Sequence, residues 1–207
     1  MRPYVLTVDD QQSIRTAIRE GGNIWSSDHL DDFKRNLKDF YRNEQNQQCC
    51  YCKRVTVGEF RMVLDIEHIL PKGTPAYRRY MFEPKNLSIA CKRCNMEIKK
   101  QDISFISNTA NFNPDFFDSN NYLFIHPHTD NYWDHIDYSM VVENDYMLIQ
   151  YTVKSPNGKG QYTYDYFKLN ELEVEAINNA QGIESQPISE EIDEDIALEI
   201  QRSLMAL

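Results

Sequence analysis

The sequence predicts an α+β fold in which two short strands and a helix are held together by a metal ion. Two Cys-x-x-Cys pairs, at Cys49–Cys52 and Cys91–Cys94, are the first observation, since two such pairs supply the four soft ligands of a tetrahedral Zn²⁺ site. The second is a pair of short β-rich runs between them, over residues 60–66 and 86–90. The third is helical periodicity on either side of the segment from Cys49 to Cys94.

Composition indicates a globular protein of ordinary core content. The 207 residues are 41% hydrophobic and 12% aromatic, which suits one domain with an appendage. No apolar run approaches the roughly 20 residues of a membrane span, and the first seven residues are too short and polar for a secretory signal. Four of the five cysteines lie in Cys-x-x-Cys pairs, as in metal sites of reducing compartments. We therefore expect a cytoplasmic protein.

The fifth cysteine leaves one zinc ligand open. Spacing favours Cys49 as the partner of Cys52, but the adjacent Cys50 could take its place. The expected zinc ligands are Cys49, Cys52, Cys91 and Cys94.

Charge is distributed unevenly along the chain. Net charge is −10, which alone argues against a nucleic-acid partner. Residues 34–100, however, hold 15 Lys/Arg against 7 Asp/Glu, whereas the rest of the chain holds 7 against 25. Such a basic island attracts phosphates locally, although scattered charge often does no more than solvate a surface.

Two helices are predicted before the first cysteine pair. The first spans residues 7–20, with Thr7 or Asp9 as its cap and Gly21 at its end. The second spans residues 27–44 and has an apolar stripe. Its outer face carries Lys34, Arg35, Lys38 and Arg42. This face is either a solvated surface, the more common case, or a contact for a phosphate backbone.

The C-terminal half predicts a hairpin and further helices. Residues 140–153 alternate around Asn144-Asp145, which indicates a hairpin, and residues 161–169 predict another strand. Asn170 is the expected cap of a helix that continues to Ala180. The chain thus divides into four segments. They are 1–48, N-terminal helices packed on the core; 49–110, the metal-clamped module; 111–182, an aromatic-rich β/α extension; and 183–207, a linker and an acidic amphipathic helix.

The acidic helix predicted over residues 188–207 has a narrow isoleucine ridge. Such a ridge is stable only when docked. It could dock on its own domain, on a partner protein, or over the basic island as an autoinhibitory segment.

The residues between the cysteine pairs suit phosphodiester hydrolysis, which needs an activated water and a metal ion. His68 can accept a proton near neutral pH, and Glu67 is a hard oxygen ligand for Mg²⁺ or Mn²⁺. Asn95, at the start of a helix predicted over 95–106, can offer that cation a neutral oxygen. Asn86 is placed to hold the loop that orients His68. Both Glu67 and His68 can face one spot only if the strand ends or bends there.

These motifs occur in a recognisable order. Cys-x-x-Cys, Ile-Glu-His-Ile-Leu-Pro-Lys over 66–72 and Asn-Leu-Ser-Ile-Ala-Cys-Lys-Arg-Cys-Asn over 86–95 resemble an HNH endonuclease of the zinc-bearing ββα-metal type, across about a quarter of the chain. The resemblance implies that His68 is the general base, that Glu67 and Asn95 bind the catalytic cation, and that Asn86 is the middle asparagine. The residues expected to contact nucleic acid are Lys72, Arg78, Arg79, Lys92, Arg93, Lys99 and Lys100.

Two positions depart from the family pattern. Asn95 stands where the family has its last histidine, which affects the choice of metal. Ile98 stands where the family often has a lysine, and Lys99 follows it. The basic contact that this lysine provides in the family is therefore expected at a different position in this chain.

Shorter motifs outside the cysteine stretch resemble the HNH subunit of Septu-type anti-phage systems and retron-linked relatives. They are residues 113–117, 124–128, 134–136 and 168–172. In those systems the nuclease works with an ABC-type ATPase. The resemblance thus implies a DNA endonuclease with an ATPase partner. An RNA or tRNA nuclease and a non-catalytic, zinc-stabilised DNA-binding adaptor are the alternatives.

Two aromatic groups near residue 130 have alternative interpretations. His126 and His128 could bind a metal, but building the turn between Pro127 and Asp130 is the favoured interpretation. Tyr132, Trp133 and Tyr138 could stack on bases, although burial in a core is the default.

Overall fold

The structure is a computed structural model, and it describes residues 1–107, 116–144 and 146–175. Within these ranges the chain is α+β, with helices and two small antiparallel sheets. The predicted acidic helix, residues 113–115 of the flanking motifs and the boundary predicted near residue 182 lie outside the described residues. The described chain forms two compact units, residues 1–138 with 151–172, and residues 139–150 with 173–175. The part of the chain that the structure covers has no helix of the length and apolar character that crossing a membrane requires.

The first helix, α1 (Val8–Glu20), begins where the sequence predicts. Thr7 is its cap: the Thr7 hydroxyl accepts the Asp10 N–H at 3.1 Å, and the Asp10 carboxylate accepts the Thr7 N–H at 2.9 Å. This reciprocal capping box satisfies two N–H groups at the helix start. Gly21, with φ of +75°, ends the helix, because glycine adopts this conformation without strain.

The second helix, α2 (Asp31–Glu44), follows a 3₁₀ turn over Asp28–Leu30. Phe33, Leu37 and Tyr41 are its buried residues. The Tyr41 hydroxyl donates to the Pro84 carbonyl at 2.8 Å. The apolar stripe therefore docks α2 on the segment that leads into the central sheet, while its basic residues Lys34, Arg35, Lys38 and Arg42 are half-buried or exposed.

The central sheet pairs β1 (Leu64–His68) with β2 (Leu87–Cys91) in antiparallel register, from Leu64 opposite Cys91 to His68 opposite Leu87. All five residues of β2 are buried. The prediction started the first strand at residue 60, but Arg61–Val63 is a 3₁₀ turn. The strand instead continues to His68, so that the Glu67-His68 pair lies at its end.

A π-helical segment, Arg93–Lys99, follows β2. The Lys100 N–H donates to the Asn95 carbonyl five residues back, at 2.8 Å. The helix predicted over 95–106 is therefore wrong in its length. It ends because Lys100 adopts a φ of +52°, after which the Asp102 side chain accepts the Ser104 N–H, a local bond that competes with helix.

The second sheet has the order β3–β4–β5, from Ile136–Glu143, Tyr146–Val153 and Val174–Glu175. The predicted hairpin is present, and its first strand begins earlier than residue 140. Leu169–Leu172 is a 3₁₀ turn rather than the start of a helix, and β5 follows it. Residues 176–180 of that predicted helix lie outside the described residues.

The strand predicted over 161–169 is wrong, because Lys159–Tyr166 forms the helix α3. The alternation of tyrosine and threonine resembled a strand, but Thr163 is completely buried. Its hydroxyl donates to the Lys159 carbonyl at 2.7 Å and accepts the Ile125 N–H at 2.8 Å. The first bond is the helical i to i−4 contact that threonine can make, and the second depends on tertiary packing.

Gly160 lets α3 approach the start of β3 closely, and this gives a first prediction. A Cβ at residue 160 would lie 2.6 Å from the His135 carbonyl oxygen. We expect Gly160→Ala to lower the free energy of unfolding by about 1–3 kcal/mol, as overpacking does, despite the higher helix propensity of alanine. Urea denaturation measures the loss. Gly158→Ala is the control, since its nearest neighbour would be Ser155 at 3.6 Å; equal stability of the two variants would contradict the prediction.

Candidate functional site

Four cysteines form a candidate metal centre. The sulfurs of Cys49, Cys52, Cys91 and Cys94 all lie within 4.8 Å of one another, and all four residues are buried. The Cys52 and Cys91 sulfurs are 3.8 Å apart. Zn–S bonds of about 2.3 Å in a tetrahedron place sulfurs roughly 3.8 Å apart. The quartet therefore has the ligand type and spacing for a structural ion such as zinc.

Cys50 lies outside this quartet, so that Cys49 is the first candidate ligand. Burial raises the pKa of the Cys50 thiol well above its usual value. For Cys49 burial acts in the same direction, but hydrogen bonds from the neighbouring thiols outweigh it and lower the pKa of Cys49 well below the usual range. The Cys49 sulfur also accepts the Cys91 N–H at 3.3 Å.

The turn between Cys49 and Cys52 is fixed by backbone contacts. The Cys50 N–H donates to the Ile89 carbonyl of β2 at 3.0 Å. Lys53 closes the turn with a φ of +57°, and its N–H donates to the Cys49 carbonyl at 3.1 Å. The turn thus carries Tyr51, which lies between the ligands, into the interior.

Glu67 is completely buried and makes two contacts through one oxygen. Its Oε1 accepts from Tyr51 Oη at 3.0 Å and pairs with Lys99 Nζ at 2.9 Å. Its Oε2 is buried without a hydrogen-bond partner among the described residues. Burial raises the pKa of Glu67, and the Lys99 ammonium acts against that rise.

His68 is also buried and presents one free ring nitrogen. Nε2 lies 3.2 Å from the Met81 carbonyl oxygen; since a carbonyl only accepts, Nε2 carries the proton and Nδ1 keeps its lone pair. Nδ1 has no hydrogen-bond partner within the described chain. The Trp25 ring packs edge-on at 4.3 Å between centroids. Burial, followed by the charges of Lys72 and Lys99, lowers the pKa of His68 well below its usual value.

The structure brings Glu67, His68 and Asn95 to one cavity of about 150 Å³, which Lys72 and Lys100 also line. Glu67 and His68 are the last two residues of β1. Catalytic roles for these residues are predictions from the sequence. The structure adds that all three residues line the same small cavity.

Asn86 holds together the loop between the two central strands. Its amide nitrogen donates to the Leu70 carbonyl at 3.1 Å and the Tyr80 carbonyl at 3.0 Å. Its side-chain oxygen accepts the Leu70 N–H at 2.7 Å. Asn86 thus fixes the segment that contains Met81, the hydrogen-bond partner of His68.

An open groove of about 850 Å³ adjoins the small cavity. Asn95 and Lys72 line both. The basic residues along the groove are Lys34, Arg35, Lys38, Lys72, Lys92 and Lys100. The first three belong to α2, and the sequence signal for them was the basic outer face of that helix within the basic island.

Four of the predicted nucleic-acid contacts do not line this groove. The Lys99 side chain is 1% exposed, because it pairs with Glu67 in the interior. Arg93 donates to the carbonyls of residues 167 and 168 and to Glu171 at 2.8–2.9 Å. The Arg79 guanidinium lies 4.9 Å from the Phe116 ring centre. Arg78 lines a separate cavity of about 350 Å³ beside Trp25.

His126 builds a turn, in agreement with the favoured interpretation. Its Nδ1 accepts the N–H groups of His128 and Thr129 at 3.2 and 3.3 Å, and its own N–H donates to Asp130 at 2.7 Å. Tyr132 is buried, at 6% exposure, whereas Trp133 is 43% exposed.

Comparisons of this chain with protein-family models, with curated proteins and with solved structures give no match.

Proposed function

We propose that this protein is a metal-dependent endonuclease that hydrolyses DNA phosphodiester bonds. The observation that supports it most is the shared cavity of Glu67, His68 and Asn95 beside a groove lined by basic side chains. Two buried atoms of these residues, Glu67 Oε2 and His68 Nδ1, have no hydrogen-bond partner in the described chain. Buried polar atoms are nearly always paired, and a catalytic role or a bound ion is one explanation for those that are not.

In this proposal His68 is the general base. Its Nδ1 carries a lone pair, because Nε2 donates to the Met81 carbonyl. The lowered pKa of His68 keeps the ring neutral near pH 7, which is the state that accepts a proton from water. The Trp25 edge and the Met81 carbonyl fix the ring plane.

The residues present fit a hard divalent cation. Glu67 Oε2 and the Asn95 side chain offer oxygen ligands of the type that Mg²⁺ and Mn²⁺ prefer. Tyr51 and Lys99 hold Glu67 Oε1, so that Oε2 has a fixed position. When bound, the cation would supply stabilisation of the negative charge that develops on the leaving oxygen.

The groove fits a nucleic-acid backbone. Its lysines and Arg35 come from α2, from the loop after β1 and from the π-helical region, so that positive charge lies on several sides. Arg35 and Lys34 also pair with Asp32 and Asp31 within α2, but exposed pairs of this type are weak and can yield to phosphates. Contacts of this kind position a substrate without reading bases.

The direct test incubates the purified protein with plasmid DNA or labelled RNA, with Mg²⁺ or Mn²⁺ and with EDTA. We expect DNA cleavage only with a divalent cation, and recovery when Mg²⁺ replaces EDTA. Zinc content is measured after EDTA treatment, so that loss of the cysteine-bound ion is recognised. Cleavage of RNA alone would favour an RNA nuclease, and DNA binding without cleavage would favour the adaptor.

An ABC-type ATPase partner and a role in anti-phage defence are part of the proposal, and they rest on the flanking-motif resemblance alone. The predicted acidic helix, a candidate docking element, lies outside the described residues.

A further inference from the structure

The two carboxylates near the proposed cation site are each paired with a lysine. Lys99 Nζ lies 2.9 Å from Glu67 Oε1, with both side chains 1% exposed. Lys92 Nζ lies 3.1 Å from Asp65 Oδ1 in the groove. Each pair cancels one negative charge.

The cavity around Glu67 consequently has no excess of negative charge. Asn95 is uncharged, and the other charged residues that line the cavity are Lys72 and Lys100. Affinity for a hard divalent cation follows the number of charged ligands, and Mg²⁺ is usually held by one or two carboxylates together with substrate phosphates. A cation that enters this cavity without a substrate phosphate would find a single carboxylate, that of Glu67, whose charge Lys99 already neutralises.

Lys99 is fixed in this arrangement by more than its ion pair. Its Nζ also donates to the His68 carbonyl at 2.9 Å and lies 5.7 Å from the centre of the Phe105 ring. Burial keeps water from screening its charge. The ammonium therefore lies between the two residues proposed for catalysis and cannot swing away into solvent.

We propose, on the basis of the proposed function, that Lys99 makes cation binding depend on nucleic acid. Lys99 is a positioning residue that compensates Glu67 in the free protein, and a substrate phosphate supplies the missing negative charge. The divalent cation then binds together with the phosphodiester. By reciprocity, the cation strengthens nucleic-acid binding by the same factor.

The test measures Mn²⁺ binding by electron paramagnetic resonance in a His68→Ala background, which prevents cleavage during the measurement. Titrations are made with and without a short synthetic DNA duplex, and duplex alone is the blank. We expect Mn²⁺ to bind about tenfold more tightly when the duplex is present, within the usual range of coupling. Lys99→Met nearly keeps the side-chain length and removes the charge. It should raise the Mn²⁺ affinity measured without duplex about tenfold, and it should reduce the effect of the duplex on that affinity.

Lys159→Met is the matched control, because it removes the same charge from another largely buried lysine–carboxylate pair, with Asp130 Oδ2 at 2.6 Å, that lines neither the cavity nor the groove. Its duplex-free Mn²⁺ affinity should equal that of the background protein. Mn²⁺ affinity that does not change with the duplex would overturn the inference, even if Lys99→Met fails to fold. If Mn²⁺ affinity does not change with the duplex but the protein with His68 intact still cleaves DNA, the dependence of cation binding on nucleic acid is wrong and the proposed function stands. If that protein neither cleaves DNA nor binds Mn²⁺, the proposed function is overturned as well.

Discussion

Replacement of Cys91 by serine is expected to remove the structural metal and to unfold the protein. Cys91 ends β2, and its sulfur lies 3.8 Å from that of Cys52. The cysteine quartet thus joins the turn at residues 49–52 to the central sheet and the π-helical segment. Binding of structural zinc contributes on the order of 10 kcal/mol in small domains, which is comparable to the whole stability of a typical domain. We expect metal content to fall from about one ion per chain to near zero, with loss of soluble protein.

Cys50→Ser provides the matched control, since Cys50 is equally buried and lies outside the quartet. It should retain the metal and lose only modest stability. Inductively coupled plasma mass spectrometry gives the metal content, and thermal denaturation gives the stability. Metal retained by Cys91→Ser, or lost from Cys50→Ser, would show that a different set of sulfurs binds the ion.

The cysteine quartet could be predicted from sequence because its geometry is local. A Cys-x-x-Cys pair closes in one tight turn, and only the joining of two pairs requires tertiary structure. The choice between Cys49 and Cys50 could not be made from spacing. It depends on which side of the turn faces β2, and the bond from the Cys50 N–H to the Ile89 carbonyl decides that.

The contacts of Glu67 could not be predicted from the sequence, for a different reason. Tyr51 lies 16 residues away and Lys99 lies 32 residues away, so neither contact has a periodicity or motif. Lys99 resembled a surface charge next to Lys100. In the structure Lys99, the last residue of the π-helical segment, is buried, whereas Lys100 lines the cavity.

The error at α3 has a related cause. Alternating tyrosine and threonine satisfies the pattern of a strand, and local propensity is easily overridden by tertiary contacts. Here a single buried hydroxyl, that of Thr163, bonds both within the helix and to Ile125. The strand predicted over residues 60–66 ended just before the Glu67-His68 pair, whereas the structure places this pair in the last two positions of β1.

His68→Ala is expected to lower the rate of DNA cleavage by about 10²–10⁴-fold while zinc content stays unchanged. His68 is the only histidine among the residues that line the described cavity, and the variant removes its unpaired Nδ1. It leaves Glu67 and its contacts with Tyr51 and Lys99 in place. Single-turnover cleavage of a labelled duplex measures the chemical step, and added imidazole should restore part of the rate by entering the space that the side chain vacates.

His128→Ala separates catalysis from stability. His128 resembles His68 in its surroundings: its Nε2 lies 2.7 Å from the Leu87 carbonyl, and its ring packs edge-on against Tyr41. It does not line the cavity that contains Glu67. Because both variants remove a largely buried imidazole bonded to a backbone carbonyl, we expect comparable losses of stability but a full cleavage rate per folded molecule for His128→Ala. A His68→Ala protein that cleaves at the rate of His128→Ala would exclude His68 as the general base and leave the free Nδ1 without a catalytic role.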